Sequence, residues 1–71
     1  MVVFARWVMY FCNEDSAWGD VARDIMVDPR VTTRMGYRAL RDCIAAQSPE
    51  PVVLAIIDEM WAAYKARPLF Q

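Results

Sequence analysis

The polar chemistry of this 71-residue chain is narrow: nine carboxylates, eight lysines and arginines, two cysteines and no histidine. Without imidazole there is no histidine-based acid–base catalysis, no Ser–His or Cys–His nucleophile pair, and little scope for a zinc site. Cys12 and Cys43 alone do not make a four-ligand metal site; they read as buried free thiols of a reducing cytosol rather than as a disulfide scaffold. No glycine-rich phosphate loop is present. Paired carboxylates could in principle catalyse, but a chain this short rarely encloses a substrate. The expectation is a protein that is not an enzyme and carries no metal or cofactor.

Three sets of residues remain as candidates for contact. Asp20, Asp24 and Asp28 are spaced i, i+4, i+8, with Glu14 and Asp15 just before them, and so share one face of a helix. That face is either solvated, with Asp20 favouring the positive end of the helix dipole, or a docking surface for a basic partner. A Mg²⁺ or Ca²⁺ site is the least favoured reading, because a straight helix does not wrap oxygens around an ion. Arg34, Arg38 and Arg41 are spaced i, i+4, i+7, with Arg30 upstream; the stretch from Thr32 to Gln47 carries a local charge of +2, three arginines against Asp42. These arginines either pair with the acids of the preceding helix or contact nucleic-acid phosphates, in the second case with modest and salt-sensitive affinity. The third set is apolar. Trp18 sits in a first turn beside acidic residues, Met9 and Tyr10 fall off the main stripe of their helix, and Phe70 follows Pro68 in a C-terminal tail. Exposed aromatic side chains of this kind dominate interface energetics, although Leu69 and Phe70 could equally fold back on the core.

The elements that would position these residues are all helical. No segment alternates cleanly and no Asn-Gly or Asp-Gly hairpin signal occurs. Val3, Phe4, Trp7, Val8 and Phe11 predict a first helix over Val2 to Cys12. A second starts at Asp15 or Ser16, either of which can cap it, carries Trp18, Val21, Ala22, Ile25 and Met26 on its apolar face, and ends before Pro29. A third runs from Thr32 or Thr33 to about Gln47, with Gly36 in its first turn and Tyr37, Leu40 and Ile44 as its buried stripe. The fourth has Ser48 as cap, Pro49 at its first position, Pro51 within the first turn, and Val53, Leu54, Ile57, Trp61 and Tyr64 on one face up to about Arg67. A single helical turn at Asp28 to Val31 completes a compact four-helix bundle, with a core over about residues 3–66 and a short tail over 67–71.

One domain of this size buries only about 60% of its unfolded surface, yet 58% of the residues are hydrophobic. Some of that apolar surface must stay outside, where it becomes an interface. A net charge of −1 is too low for a dedicated nucleic-acid binder and too small for a DNA mimic. The apolar run from Met1 to Cys12 contains Arg6, lacks a cleavage site, and is shorter than the roughly 20 residues a bilayer requires. No signal peptide and no membrane partner are expected.

The segment Trp18-Gly19-Asp20-Val21-Ala22-Arg23-Asp24-Ile25, followed by Asp28, resembles the Gly-Asp-Leu-Ala-x-Asp pattern of the YozE-like family of small bacterial proteins. Met60-Trp61-Ala62-Ala63-Tyr64 is similar to that family's Trp-x-x-Tyr, and Phe4-Ala5-Arg6-Trp7 fits its aromatic opening helix. Where the family tends to carry an aromatic-proline pair, Asp28-Pro29-Arg30-Val31 stands here. The resemblance covers about residues 3–66 and implies a SAM-like helical fold, whose members generally bind proteins, often each other, and in some cases nucleic acid.

The resulting expectation is a stand-alone cytoplasmic protein-binding module, an adaptor or inhibitor of the kind that phages and mobile elements carry. Two alternatives accompany it: a nucleic-acid-binding module using Arg30, Arg34, Arg38 and Arg41, and a head-to-tail homo-oligomer that joins the acidic face of one copy to the basic face of the next.

Overall fold

The computed structural model describes residues 2–47 and 50–67 and contains four helices, which begin in different ways. The first, α1, spans Phe4–Met9 and is shorter than the periodicity predicts. Val3 enters it extended, and the Ala5 N–H, an orphan donor of the first turn, is taken by the Met35 carbonyl at 3.0 Å. Past Met9 the chain keeps coiling, but through tighter i→i+3 bonds: Tyr10, Phe11 and Cys12 N–H groups donate to the Trp7, Val8 and Met9 carbonyls.

Ser16 caps α2 (Ala17–Met26) as expected, its hydroxyl accepting from the Gly19 N–H at 3.2 Å and donating to Glu14 Oε1 at 3.0 Å. Gly19 is required by contact rather than by backbone angle. A Cβ placed there would lie 1.8 Å from the Glu14 carbonyl oxygen and 3.1 Å from that of Phe11. The α1–α2 loop is clamped on the same side by Arg23, which donates to the Cys12 and Glu14 carbonyls at 2.8 and 3.1 Å and also pairs with Asp20.

Helix α3 covers Tyr37–Gln47 and starts four or five residues later than the sequence spacing predicts. Thr32 is the reason: its hydroxyl accepts the Arg34 N–H (3.3 Å) and its carbonyl the Met35 N–H (3.3 Å), a local turn that competes with helix formation. Gly36 therefore stands just before the helix, where its carbonyl accepts the Leu40 N–H, and not in the first turn. The expected turn at Asp28 to Val31 forms, with Val31 N–H on the Asp28 carbonyl and Arg30 N–H on the Asp28 side chain. Helix α4 is Pro51–Ala66, with Pro51 at a position where a missing N–H costs nothing. Ser48 and Pro49, the expected cap and first residue, lie outside the described residues, as do Pro68 to Gln71.

The protein is thus an all-α four-helix bundle with no strand among the described residues. Its Cα radius of gyration, 11.2 Å, matches the roughly 11 Å expected of a compact chain this long, so the apolar excess is not accommodated by expansion. Phe4, Val8, Val21, Ile25, Leu40, Ile57 and Met60 form the centre of the core, and α4 packs against all three other helices. The backbones of α2 and α3 do not meet. Tyr37 at the start of α3 stacks on Trp61 of α4, whereas Ile44 near its end faces the same opening as Val53. The two helices are therefore antiparallel. Their two ends, separated by about 10 Å along the helix axis, have different surroundings.

Candidate functional site

Between α2 and α3, which make no backbone contact, lies an open groove of about 460 Å³. Its floor is aliphatic and largely closed: Val21 and Ile25 from α2 and Ile44 from α3 are buried core side chains, and Val53 from α4 is half-buried. Its rim carries Asp24, Asp28 and Glu50, and no lysine or arginine lines it. The carboxyl-terminal turns of α2 and α3 reach it through Val27 and Gln47 and add the negative ends of two helix dipoles, partly offset by the amino end of α4. Three of the most exposed large apolar side chains cluster in sequence around this end: Val27 at 82%, Val52 at 61% and Met26 at 52%. Met26 was expected on the buried face of its helix; it lies instead at the point where α2 ends without a neighbour.

The predicted acidic set is divided among different roles. Asp20 pairs with Arg23 in the first part of α2, away from the groove. Asp24 is exposed on the groove rim. Asp28 falls beyond the end of α2; its carboxylate accepts the Arg30 N–H at 2.9 Å, with Arg30 Nε 3.7 Å away. Among the described residues no three His, Cys, Asp or Glu side chains converge to hold a metal ion.

The basic set does not form a single stripe. Arg34 precedes α3, Arg30 is held beside Asp28, and Arg41 turns to α4, where its Nε and Nη2 donate to the two Asp58 oxygens at 2.8 and 3.2 Å. Of the pairings expected between these arginines and the predicted acids, Arg30–Asp28 forms; Arg34, Arg38 and Arg41 pair with none of them among the described residues, because α2 and α3 are not neighbours. Arg34 and Arg38 are exposed and make no ion pair among the described residues.

The predicted apolar set also separates. Trp18 is half-buried: its indole N–H donates to Glu59 at 2.8 Å, and its ring packs edge-on against Phe11 at 5.2 Å and beside Trp7. Met9 is half-buried against the core. Tyr10 is exposed at 59%. Phe70 lies outside the described residues.

No protein-family model, curated protein or solved structure matches the chain. The site is therefore read from its own geometry.

The other end of the α3–α4 pair is a second apolar opening, of about 270 Å³, between Val2, Val3, Gly36 and the rings of Phe4, Tyr37, Trp61 and Tyr64. Here the aromatic residues pack on one another. Phe4 meets Trp61 and Tyr64 edge-on, both at 5.3 Å, and Tyr37 and Trp61 stack at 4.7 Å. The polar ends are satisfied: the Tyr64 hydroxyl donates to the Val2 carbonyl, and that of Tyr37 to Asp58. Hydrogen bonds from Arg41 and then Tyr37 hold the Asp58 carboxyl below its usual range, and the same carboxylate raises Tyr37 and Arg41. Lys65 and Arg67 lie over the Trp61 and Tyr64 rings at 5.4 and 3.7 Å.

Sequence reasoning passed over Asp58, Glu59 and Glu50, although two carboxylates inside the apolar run from Val52 to Trp61 mark positions where partners must be found. It also passed over Val27, whose place just past a helix end and before Asp28-Pro29 left it with no neighbour to cover it.

Proposed function

We propose that this chain is a non-catalytic protein-binding module, and that the groove between α2 and α3 is its docking surface. One observation carries the reading: Met26, Val27 and Val52 are large apolar side chains left exposed, and Val27 lines an open groove rimmed by carboxylates. Exposed apolar side chains set beside charged ones are a common feature of interaction sites on small domains. The module acts in the cytoplasm as an adaptor or inhibitor of a larger assembly. Kinship with the YozE-like family belongs to the same reading; Trp18, Gly19, Trp61 and Tyr64, which carry that resemblance, all have packing roles.

The nucleic-acid reading has less support. With Arg30 and Arg41 engaged, Arg34 and Arg38 are left for phosphates, and two contacts give a salt slope of only about −1.8. No helix among the described residues is long and apolar enough to cross a membrane.

The test is affinity capture from the source cells with three versions of the protein. The wild type and an Arg34→Ala/Arg38→Ala variant are expected to retain the same partner, and a Val27→Asp/Val53→Asp variant to lose it. Loss with the arginine variant and retention with the groove variant would reverse the assignment.

A further inference from the structure

Helix α4 ends at Ala66, and Arg67 leaves it extended, at φ −66° and ψ 151°, the region favoured before a proline. Its side chain turns back onto the helix. The guanidinium lies over the Tyr64 ring at 3.7 Å, and Nη1 donates to the Tyr64 carbonyl at 2.6 Å. Tyr64 is a wall of the apolar opening at the aromatic end. The chain therefore departs from the edge of that opening. The next four residues are Pro68, Leu69, Phe70 and Gln71, three of them apolar.

Reach decides which apolar surface Leu69 and Phe70 can cover. Three residues from Arg67 to Phe70 span at most about 10 Å. Helix α4 has 16 residues and is about 24 Å long. The exposed Val52, and Val53 in the groove, stand at its start, about 20 Å along the axis from Arg67. The groove is out of range. The aromatic opening is not: Tyr64 is one turn back from Arg67, about 5 Å, and Trp61 about 9 Å.

The lining of the opening suits an apolar occupant. Its walls are the rings of Tyr37, Trp61 and Tyr64 with Val2 and Val3, and Val3 is 40% exposed. The Tyr37 and Tyr64 hydroxyls already donate to Asp58 and to the Val2 carbonyl, so covering the rings leaves neither hydroxyl unpaired. An apolar cavity of about 150 Å³ holds benzene; this opening, at about 270 Å³, admits a phenyl ring and part of a leucine. A ring entering it meets Trp61 and Tyr64, which already take Phe4 edge-on at 5.3 Å.

We propose that this opening is the docking site of the chain's own Leu69–Phe70 segment. The Phe70 ring packs against Trp61 and Tyr64, Leu69 covers Val2 and Val3, and Arg67 anchors the segment on Tyr64. The contact ties the residues after α4 to those before α1 and closes the aromatic end to outside partners. A separate peptide would have to displace a tethered segment whose effective concentration is on the order of millimolar. The inference concerns a different surface from the groove and does not rest on the docking reading there.

The test uses the whole chain, isotope-labelled for NMR. The Phe70 ring protons are expected to give NOEs to the Val2 and Val3 methyl groups and to the Trp61 indole. Phe70→Ala should shift the amides of Val3, Tyr37 and Trp61 and leave those of Val27 and Ile44 in place. It should also lower the folding equilibrium constant about tenfold in urea denaturation, as loss of a largely buried ring implies, and Phe70→Leu should recover part of that loss. In a mixture of labelled and unlabelled protein, no NOE between copies is expected.

A Phe70 ring without NOEs to the opening, or with NOEs to Tyr10 or the groove instead, would overturn the proposal. So would a Phe70→Ala variant as stable as the wild type. NOEs between labelled and unlabelled copies would make a second copy the occupant and overturn it as well. If Phe70→Ala does not fold, the NOEs of the wild type decide.

Discussion

The two ends of the α3–α4 pair differ in kind: one opening is lined almost wholly by apolar and aromatic side chains, the other by aliphatic side chains mixed with three carboxylates. At the aromatic end, large flat side chains from α1, α3 and α4 reach across the bundle and cover one another, and their hydroxyls find Asp58 and the Val2 carbonyl. At the groove end the floor is valine and isoleucine; Val21, Ile25 and Ile44 are buried as well, while Val27 on the lining stays exposed. Carboxylates there meet solvent rather than a guanidinium, apart from Asp28 beside Arg30. The difference teaches that apolar content does not by itself locate a binding surface. What matters is whether the side chains are long enough to bridge the helices that carry them. The aromatic end holds the fold together, and the groove end is where we propose contact is made.

Substitutions should separate the two ends, beginning with the largest effect on stability. Phe4 is 1% exposed and touches four other rings, so Phe4→Ala should cost about 3–5 kcal/mol and leave little folded protein, read by urea denaturation. Gly19→Ala should cost about 3 kcal/mol, because its methyl group meets the Glu14 carbonyl and the loop must move away. If this variant is as stable as the wild type, the close approach of α2 to the loop is not a requirement of the fold.

A smaller effect should appear at Asp58, whose carboxyl is held below its ordinary value by Arg41 and Tyr37. A depressed carboxylate contributes stability that is fully present above its unfolded value of about 4 and is lost as pH falls through the folded value. Denaturation midpoints of Asp58→Asn should therefore lie below those of the wild type at neutral pH, and the gap should close on acidification. A gap that widens in acid would exclude the Arg41–Asp58–Tyr37 network as its source. The smallest change in stability is expected at Val27→Asp, within about 0.5 kcal/mol at so exposed a position. The same variant should nevertheless lose partner capture. A large stability loss there would show that the groove belongs to the core.

Much of the fold was readable because its signals are local. Ser16 capping α2, Pro51 in the first turn of α4, and the buried spacing of Val21, Ala22 and Ile25 depend on residues within a turn or two of each other. The late start of α3 was not readable, since Thr32 could as well have capped a helix as closed a turn. Half of the candidate site was readable: Asp24 and Asp28 are on the rim, but Asp20 pairs with Arg23 and Arg41 with Asp58, away from it. Trp18, singled out for an interface, is drawn into the aromatic cluster by rings from α1 and by Glu59.

By itself the sequence determined that the protein is helical, that it has four helices, and that it lacks the side chains for histidine-based or phosphate-loop chemistry, because periodicity, capping and composition act within single segments. Only the tertiary structure decided which apolar residues stay uncovered and which charges pair. Those outcomes depend on how far apart packing holds two helices, as when Tyr37 of α3 stacks on Trp61 of α4 while α2 and α3 make no contact. No spacing within one helix encodes the distance to its neighbour.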